Sequence, residues 1–253
     1  MIIQLQKLLL VLMRITGFVF LCPGFSFKGL PNMFKITLSF GFSIIVYLTI
    51  PDIPLVDDML YFSILILKES LFGLAIGYVV QLIYGIIEIA GQLIDLQVGF
   101  AMGSMYDPNL GRNISNYGRM YYWLSICIFF LLDMHHRVIE TLIKSFEYVP
   151  ITTISFHGFS ILGIINLFSK VFELAINLAA PMIIAVLVID VVLGIISKTV
   201  PQINVLMLGM PLKSMMSFVL TMIMLSWLMN SMAYRLGLIP EYLEKFYILF
   251  TST

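Results

Sequence analysis

Charge is what this sequence has least of. Only 11% of its 253 residues are Asp, Glu, Lys or Arg, and 14 basic residues balance 14 acidic ones. A soluble domain spends about a quarter of its residues on charge, because folded surface must face water. Zero net charge also removes the electrostatic basis for gripping a nucleic-acid backbone, so no nucleic acid is expected as a partner. Cysteine is almost missing. Cys22 and Cys127 stand alone in apolar runs, with no CxxC and no disulfide framework, and read as two small buried side chains. Of the three histidines, His135, His136 and His157, none has a ligand partner at metal spacing, and the pair beside Asp133 reads as a helix-end feature. There is no phosphate-binding loop and no G-x-S-x-G elbow. The sequence therefore gives no support for an enzyme, a bound metal or a cofactor.

What is present is apolar length. Hydrophobic residues make up 60% of the chain, and the mean hydropathy is +1.04. That much apolar surface needs lipid or other apolar protein as its solvent. Helix-length apolar segments fall at 5–22, 33–50, 59–90, 121–134, 163–197 and 210–236. Each helix satisfies its own backbone hydrogen bonds, as hydrocarbon requires. The expected fold class is an all-α integral membrane protein of six long, bent or tilted helices with an irregular loop at its centre. The start, "MIIQLQKLLLVLMRITGFVFLC", carries Lys7 and Arg14 inside its apolar run and no A-x-A site, and reads as a retained first helix. Pro23, Pro31, Pro51, Pro54, Pro150, Pro201, Pro211 and Pro240 mark gaps between segments, while Pro181 predicts a kink or break inside the fifth. The 51–58 loop has three acids and no base. Lys28 and Lys35, Arg112 and Arg119, and Lys198 and Lys213 mark basic loops, which the positive-inside rule puts in the cytoplasm and both termini outside; Arg137 and Lys144 go against this.

Two features carry chemistry. In the third segment, Gln81, Glu88, Gln92, Asp95 and Gly99 are spaced by seven, four, three and four, which forms one helical stripe. Acids are costly against lipid, so the stripe is expected to face neighbouring subunits or water; a proton relay is the other reading. Gly73, Gly77, Gly85, Gly91, Gly99 and Gly103 recur mostly at four or eight, a spacing that admits another backbone closely. The stretch "HHRVIETLIKSFEYV" is amphipathic, with Val138, Ile139, Leu142, Ile143 and Phe146 on one side, for a membrane surface or a neighbouring subunit.

The stretches "GQLIDLQVGFAM" with a following "DP", "DMHHRVIETLIKSF", "KTVPQINVLMLGMPLK" and "RITGFVFLCPGFSFKGLPNMFKI" together resemble the FliR family. These are R-type components of the flagellar protein export gate, related to T/R components of virulence type III secretion systems. The resemblance covers essentially the whole chain. It implies a single membrane domain, with 1–162 like a P-type export subunit and 163–253 like a Q-type helical hairpin. It also implies assembly with five P-type and four Q-type subunits around an export channel in the bacterial inner membrane at the flagellar basal body. The further partners implied are a B-type switch protein, an A-type export gate protein, exported flagellar proteins and membrane lipid.

The resemblance gives the central coil a role. Residues 104–119 occupy the place of the family's pore plug: Met105, Tyr106, Asp107, Pro108, Asn109, Leu110, Gly111, Arg112, Asn113, Ile114, Asn116 and Tyr117. Irregular backbone at membrane depth is tolerated only inside protein or beside a water-filled cavity. Glycines there allow unusual turns, and Met102, Met105 and Met120 are adaptable flanks. A second site is the hairpin loop with Lys198, Pro201, Gln202, Asn204, Pro211 and Lys213, whose family equivalents face the cytoplasm and the B-type protein. Two other readings stay open: the homologous component of a virulence secretion system, and a self-contained secondary transporter using Glu88, Asp95 and a helix break at Pro181.

Overall fold

A computed structural model of the chain describes residues 2–27, 29–51, 54, 56–100, 115–151, 161–199 and 205–251. These residues hold eight helices and no strand: α1 Ile2–Leu21, α2 Asn32–Thr49, α3 Met59–Val98, α4 Asn116–Leu131, α5 Met134–Tyr148, α6 Ile161–Thr199, α7 Val205–Gly237 and α8 Ile239–Thr251. Five stretches are long and apolar enough to cross a membrane: Ile3–Leu21, Asn32–Thr49, Met59–Val98, Ile165–Thr199 and Gly209–Ile248. The chain is an all-α integral membrane protein.

Several segment boundaries move. The third segment does not stop near residue 90, because α3 continues to Val98 and carries its polar residues within the helix. The fourth starts at Asn116 rather than 121 and ends at Leu131. At 16 residues, or about 24 Å, α4 is shorter than a bilayer core. Asp133, the one described non-glycine residue with a left-handed backbone (φ 52°), separates α4 from α5. The chain passes unbroken through Pro181, so the predicted two-helix division is absent. Pro211 is likewise no boundary: it lies inside α7, which begins six residues earlier. Proline removes only one backbone donor, and the surrounding apolar turns keep the rest of the ladder. Pro31 at the N-cap of α2 and Pro240 in the first turn of α8 do mark helix starts.

The described chain forms two compact units. The first contains Met1–Ile83, Phe129–Ile165 and Leu236–Thr253. Its interior is built on close approach of α1 and the first half of α3. A Cβ on Gly17 would sit 2.7 Å from the Ser70 carbonyl oxygen, and one on Gly77 would sit 2.8 Å from that of Phe18. Gly73 meets the Arg14 backbone at even closer range. This is the close packing that glycines at a spacing of four predict. Phe18, Phe25, Phe42 and Phe129 make an aromatic cluster with centroids 5.9–6.4 Å apart. The apolar side of α5, with Val138, Leu142 and Phe146 buried, packs on α8 of its own chain. That helix therefore does not keep its apolar face for a membrane surface or a second subunit.

Arg14 is fully buried in this unit and organises it. Its Nε donates to Glu69 Oε2 at 2.6 Å, with neither side chain exposed. Its Nη1 donates to the carbonyls of Ser145 and Val149, each at 3.0 Å, which satisfies the end of α5. The guanidinium lies 4.1 Å from the Phe146 ring centroid and 4.9 Å from that of Phe72. Cys22 is buried as expected, but Cys127 is exposed. His135 and His136 lie in the first turn of α5, as a helix-end pair should. One ligand-capable atom from each of Asp133, His135 and His136 lies within 4.8 Å of the others, and Asp133 and His136 are open to water.

The second unit contains Tyr84–Ile128 and Asn166–Arg235. It holds the second half of α3, most of α4 and nearly all of α6 and α7.

Candidate functional site

The second unit concentrates its polar groups at the C-terminal end of α3. Asp95 is 3% exposed. Its carboxylate accepts the backbone N–H of Tyr117 at 3.1 Å on both oxygens, and also accepts the Ser115 hydroxyl. Ser115 Oγ in turn accepts the backbone N–H of Gly118 at 2.9 Å. Ser115 precedes α4, so it acts as an N-cap, and Asp95 places a negative charge beside the same helix start. The close fit requires glycine on both sides. A Cβ on Gly91 would lie 2.5 Å from Gly118 Cα, and one on Gly118 would lie 3.2 Å from the Glu88 carbonyl oxygen.

Tyr117 links this corner to α7. Its hydroxyl donates to Ser217 Oγ at 2.9 Å, and Thr221 Oγ1 lies 3.3 Å away. Its ring stacks on Phe218, with centroids 5.7 Å apart, and sits 6.2 Å from Phe100. Phe100 also lies 6.2 Å from Phe218. Gly99 ends α3 with φ +98°, and its N–H returns to the Asp95 carbonyl. Left-handed backbone at a helix end favours glycine. Phe100, just before 101–114, and Tyr117, two residues past Ser115 on its far side, thus sit side by side against α7.

One layer along, Asp190 of α6 forms an ion pair with Lys213 of α7 and accepts from Gln97 Nε2 at 3.1 Å. Ionisable groups inside apolar helices are expensive and are held by partners. Three of the chain's few charges stand within these two adjoining layers.

The expected site residues fare differently. Met105, Tyr106, Asp107, Pro108, Asn109, Leu110, Gly111, Arg112, Asn113 and Ile114 lie outside the described residues, as do Pro201, Gln202 and Asn204. Asn116 and Tyr117 are not part of a coil: they form the first turn of α4, because Ser115 and Asp95 satisfy its leading amides. The polar stripe divides. Gln81 and Gln92 are exposed, Glu88 is half-buried, Asp95 is buried, and Gly99 is a helix terminator. Asp95 turns inward because it lies on the Gly91 side of the stripe, where α4 comes closest. Lys198 is exposed in the last turn of α6. Pro211 and Lys213 are helical rather than loop residues, and Lys213 is paired. Sequence reading missed Arg14–Glu69, Asp190 and the Ser115 cap. The signal for the first two was an acid within an apolar run, which requires a cation nearby.

Five apolar membrane-length stretches and a charged, capped corner where α3, α4, α6 and α7 meet define a polytopic helical membrane protein. The family model "Bacterial export proteins, family 1" matches residues 5–238, and the chain belongs to that family. Flagellar biosynthetic protein FliR of Bacillus subtilis is 29% identical over 222 residues, covering 86% of this chain and 85% of that protein. FliR of Escherichia coli is 25% identical, covering 79% and 77%. The Yop proteins translocation protein T of Yersinia pestis is 32% identical, covering 70% and 69%. The chain is thus a FliR-family membrane component of bacterial type III protein export. None of these three relatives carries the name of an enzyme.

Proposed function

We propose that this protein is a non-enzymatic subunit of the flagellar export gate in the bacterial inner membrane. In this reading it joins P-type and Q-type subunits, five and four in number, to form a protein-conducting channel for flagellar building blocks. The segment from Met105 to Ile114 plugs the closed pore, with Asn116 and Tyr117 of the expected plug forming the helix start behind it. The observation that supports the reading best is the arrangement of its flanks: Phe100 and Tyr117 lie 6.2 Å apart, both against Phe218. A segment whose two flanks are held together can leave and re-enter a pore without unravelling the helices on either side. A second support is apolar exposure. Within the most apolar windows of Ile165–Thr199 and Gly209–Ile248, only 17% of each is buried in this chain, which leaves surface for lipid and sister subunits. Gln81 and Gln92 then meet those sister subunits, and the stretch with Gln202 and Asn204 meets the B-type protein.

A virulence-system role draws on the Yersinia relative, but the Bacillus flagellar relative covers more of the chain, 86% against 70%. The self-contained transporter loses two of its three supports, since α6 is continuous at Pro181 and Asp95 is committed to the start of α4, which leaves Glu88 alone. Native mass measurement of the tagged complex tests the assembly; a chain that purifies as a stable monomer refutes it. Deletion of 107–113, which keeps the Ser115 cap and the first turn of the fourth helix, tests the plug. Assembly should persist while the membrane leaks ions or small solutes, and an intact barrier in the assembled variant removes the plug from the proposal. Crosslinks from Gln202 or Asn204 should reach the cytosolic B-type protein and no periplasmic one.

A further inference from the structure

The buried joint of the first unit leaves three polar atoms without a protein partner: Arg14 Nη2, Glu69 Oε1 and Tyr247 Oη. All three side chains are fully buried, at 0% exposure. They gather around one ring. The guanidinium carbon is 4.9 Å from the Phe72 centroid, the Tyr247 ring is 6.3 Å from it, and Glu69 lies three residues before Phe72 on α3. Buried polar atoms are nearly always satisfied, by protein or by ordered water.

Their chemistry selects the ligand. Nη2 only donates, a carboxylate oxygen only accepts, and a phenol does both. The Arg14–Glu69 pair is already neutral as a whole. An added cation would face the guanidinium, and an added anion would face the carboxylate. A small neutral molecule that accepts once and donates twice fits all three atoms. Buried waters typically make about three such bonds. We propose that this joint binds one ordered water, held by Arg14 Nη2, Glu69 Oε1 and Tyr247 Oη, which fastens the C-terminal helix α8 to α1 and α3. This inference does not depend on the plug or on any stoichiometry.

The test uses the membrane-extracted protein with whatever partners accompany it. A density map that resolves other buried waters should show one peak within hydrogen-bond reach of the three atoms. Tyr247→Phe should then lower the melting temperature by about 2–4 °C, because the water loses a partner. A map with these side chains ordered and no peak between them overturns the proposal. So does an unchanged or raised melting temperature for Tyr247→Phe, which is the result for a hydroxyl that bonds nothing. A direct Tyr247–Glu69 bond would also lower the melting temperature, but it leaves no peak, so the map separates the two.

Discussion

Replacing Arg14 with Met keeps the volume of the side chain and removes its charge. Glu69 then remains at 0% exposure with no cation. Stripping one partner from a buried ion pair costs about 3–5 kcal/mol, because the remaining charge has left water without compensation. Arg14 also satisfies the Ser145 and Val149 carbonyls at the end of α5, which the thioether cannot do. A whole domain is stable by only about 5–15 kcal/mol, so this loss is a large share of the total. Replacing both partners, Arg14→Met with Glu69→Met, removes the orphaned charge together with the pair, and should melt above Arg14→Met alone. The measurement is thermal unfolding of the detergent-extracted protein, followed by fluorescence-detected size exclusion, for both single variants and the double variant. The expected coupling is about 2–3 kcal/mol. Wild-type melting of Arg14→Met, or a double variant that loses the sum of the singles, would show that the pair does not organise the unit.

Asp95→Asn should speed hydrogen exchange at the Tyr117 and Gly118 amides about tenfold, since the loss of a charge-assisted bond near 1.4 kcal/mol unlocks the start of α4; unchanged exchange would deny Asp95 its capping role. Gly91→Ala should disrupt folding, because its Cβ meets Gly118 backbone at 2.5 Å, whereas Gly85→Ala, with nothing within 4 Å, should be neutral or stabilising by up to about 1 kcal/mol in melting experiments. Lys213→Asp should weaken assembly or yield, and adding Asp190→Lys should restore much of it, as judged by the amount of extracted complex; failure of the swap to rescue would mean that the ion pair contributes by shape rather than charge.

The helices were legible because membrane-length apolar runs and backbone hydrogen bonding are local properties. So was the amphipathic character of α5, whose buried residues Val138, Leu142 and Phe146 are three of the five expected. The start of α4 was not legible, because its polar first turn reads as coil until Asp95, 22 residues upstream of Tyr117, is brought to it. Lys213 read as a loop cation for the same reason: its partner Asp190 lies on another helix.

The sequence by itself determined the solvent this chain needs, the places where its long apolar helices lie, and the export family it resembles; it expected six helices where the described residues hold eight. Only the tertiary structure decided which acids meet which cations, which glycines are crowded and which face open space, and where α3 and α4 begin and end around the central segment. Those outcomes depend on pairs of residues far apart in the chain. A lone Asp, Arg or Gly carries no local record of the side chain that folding will set against it.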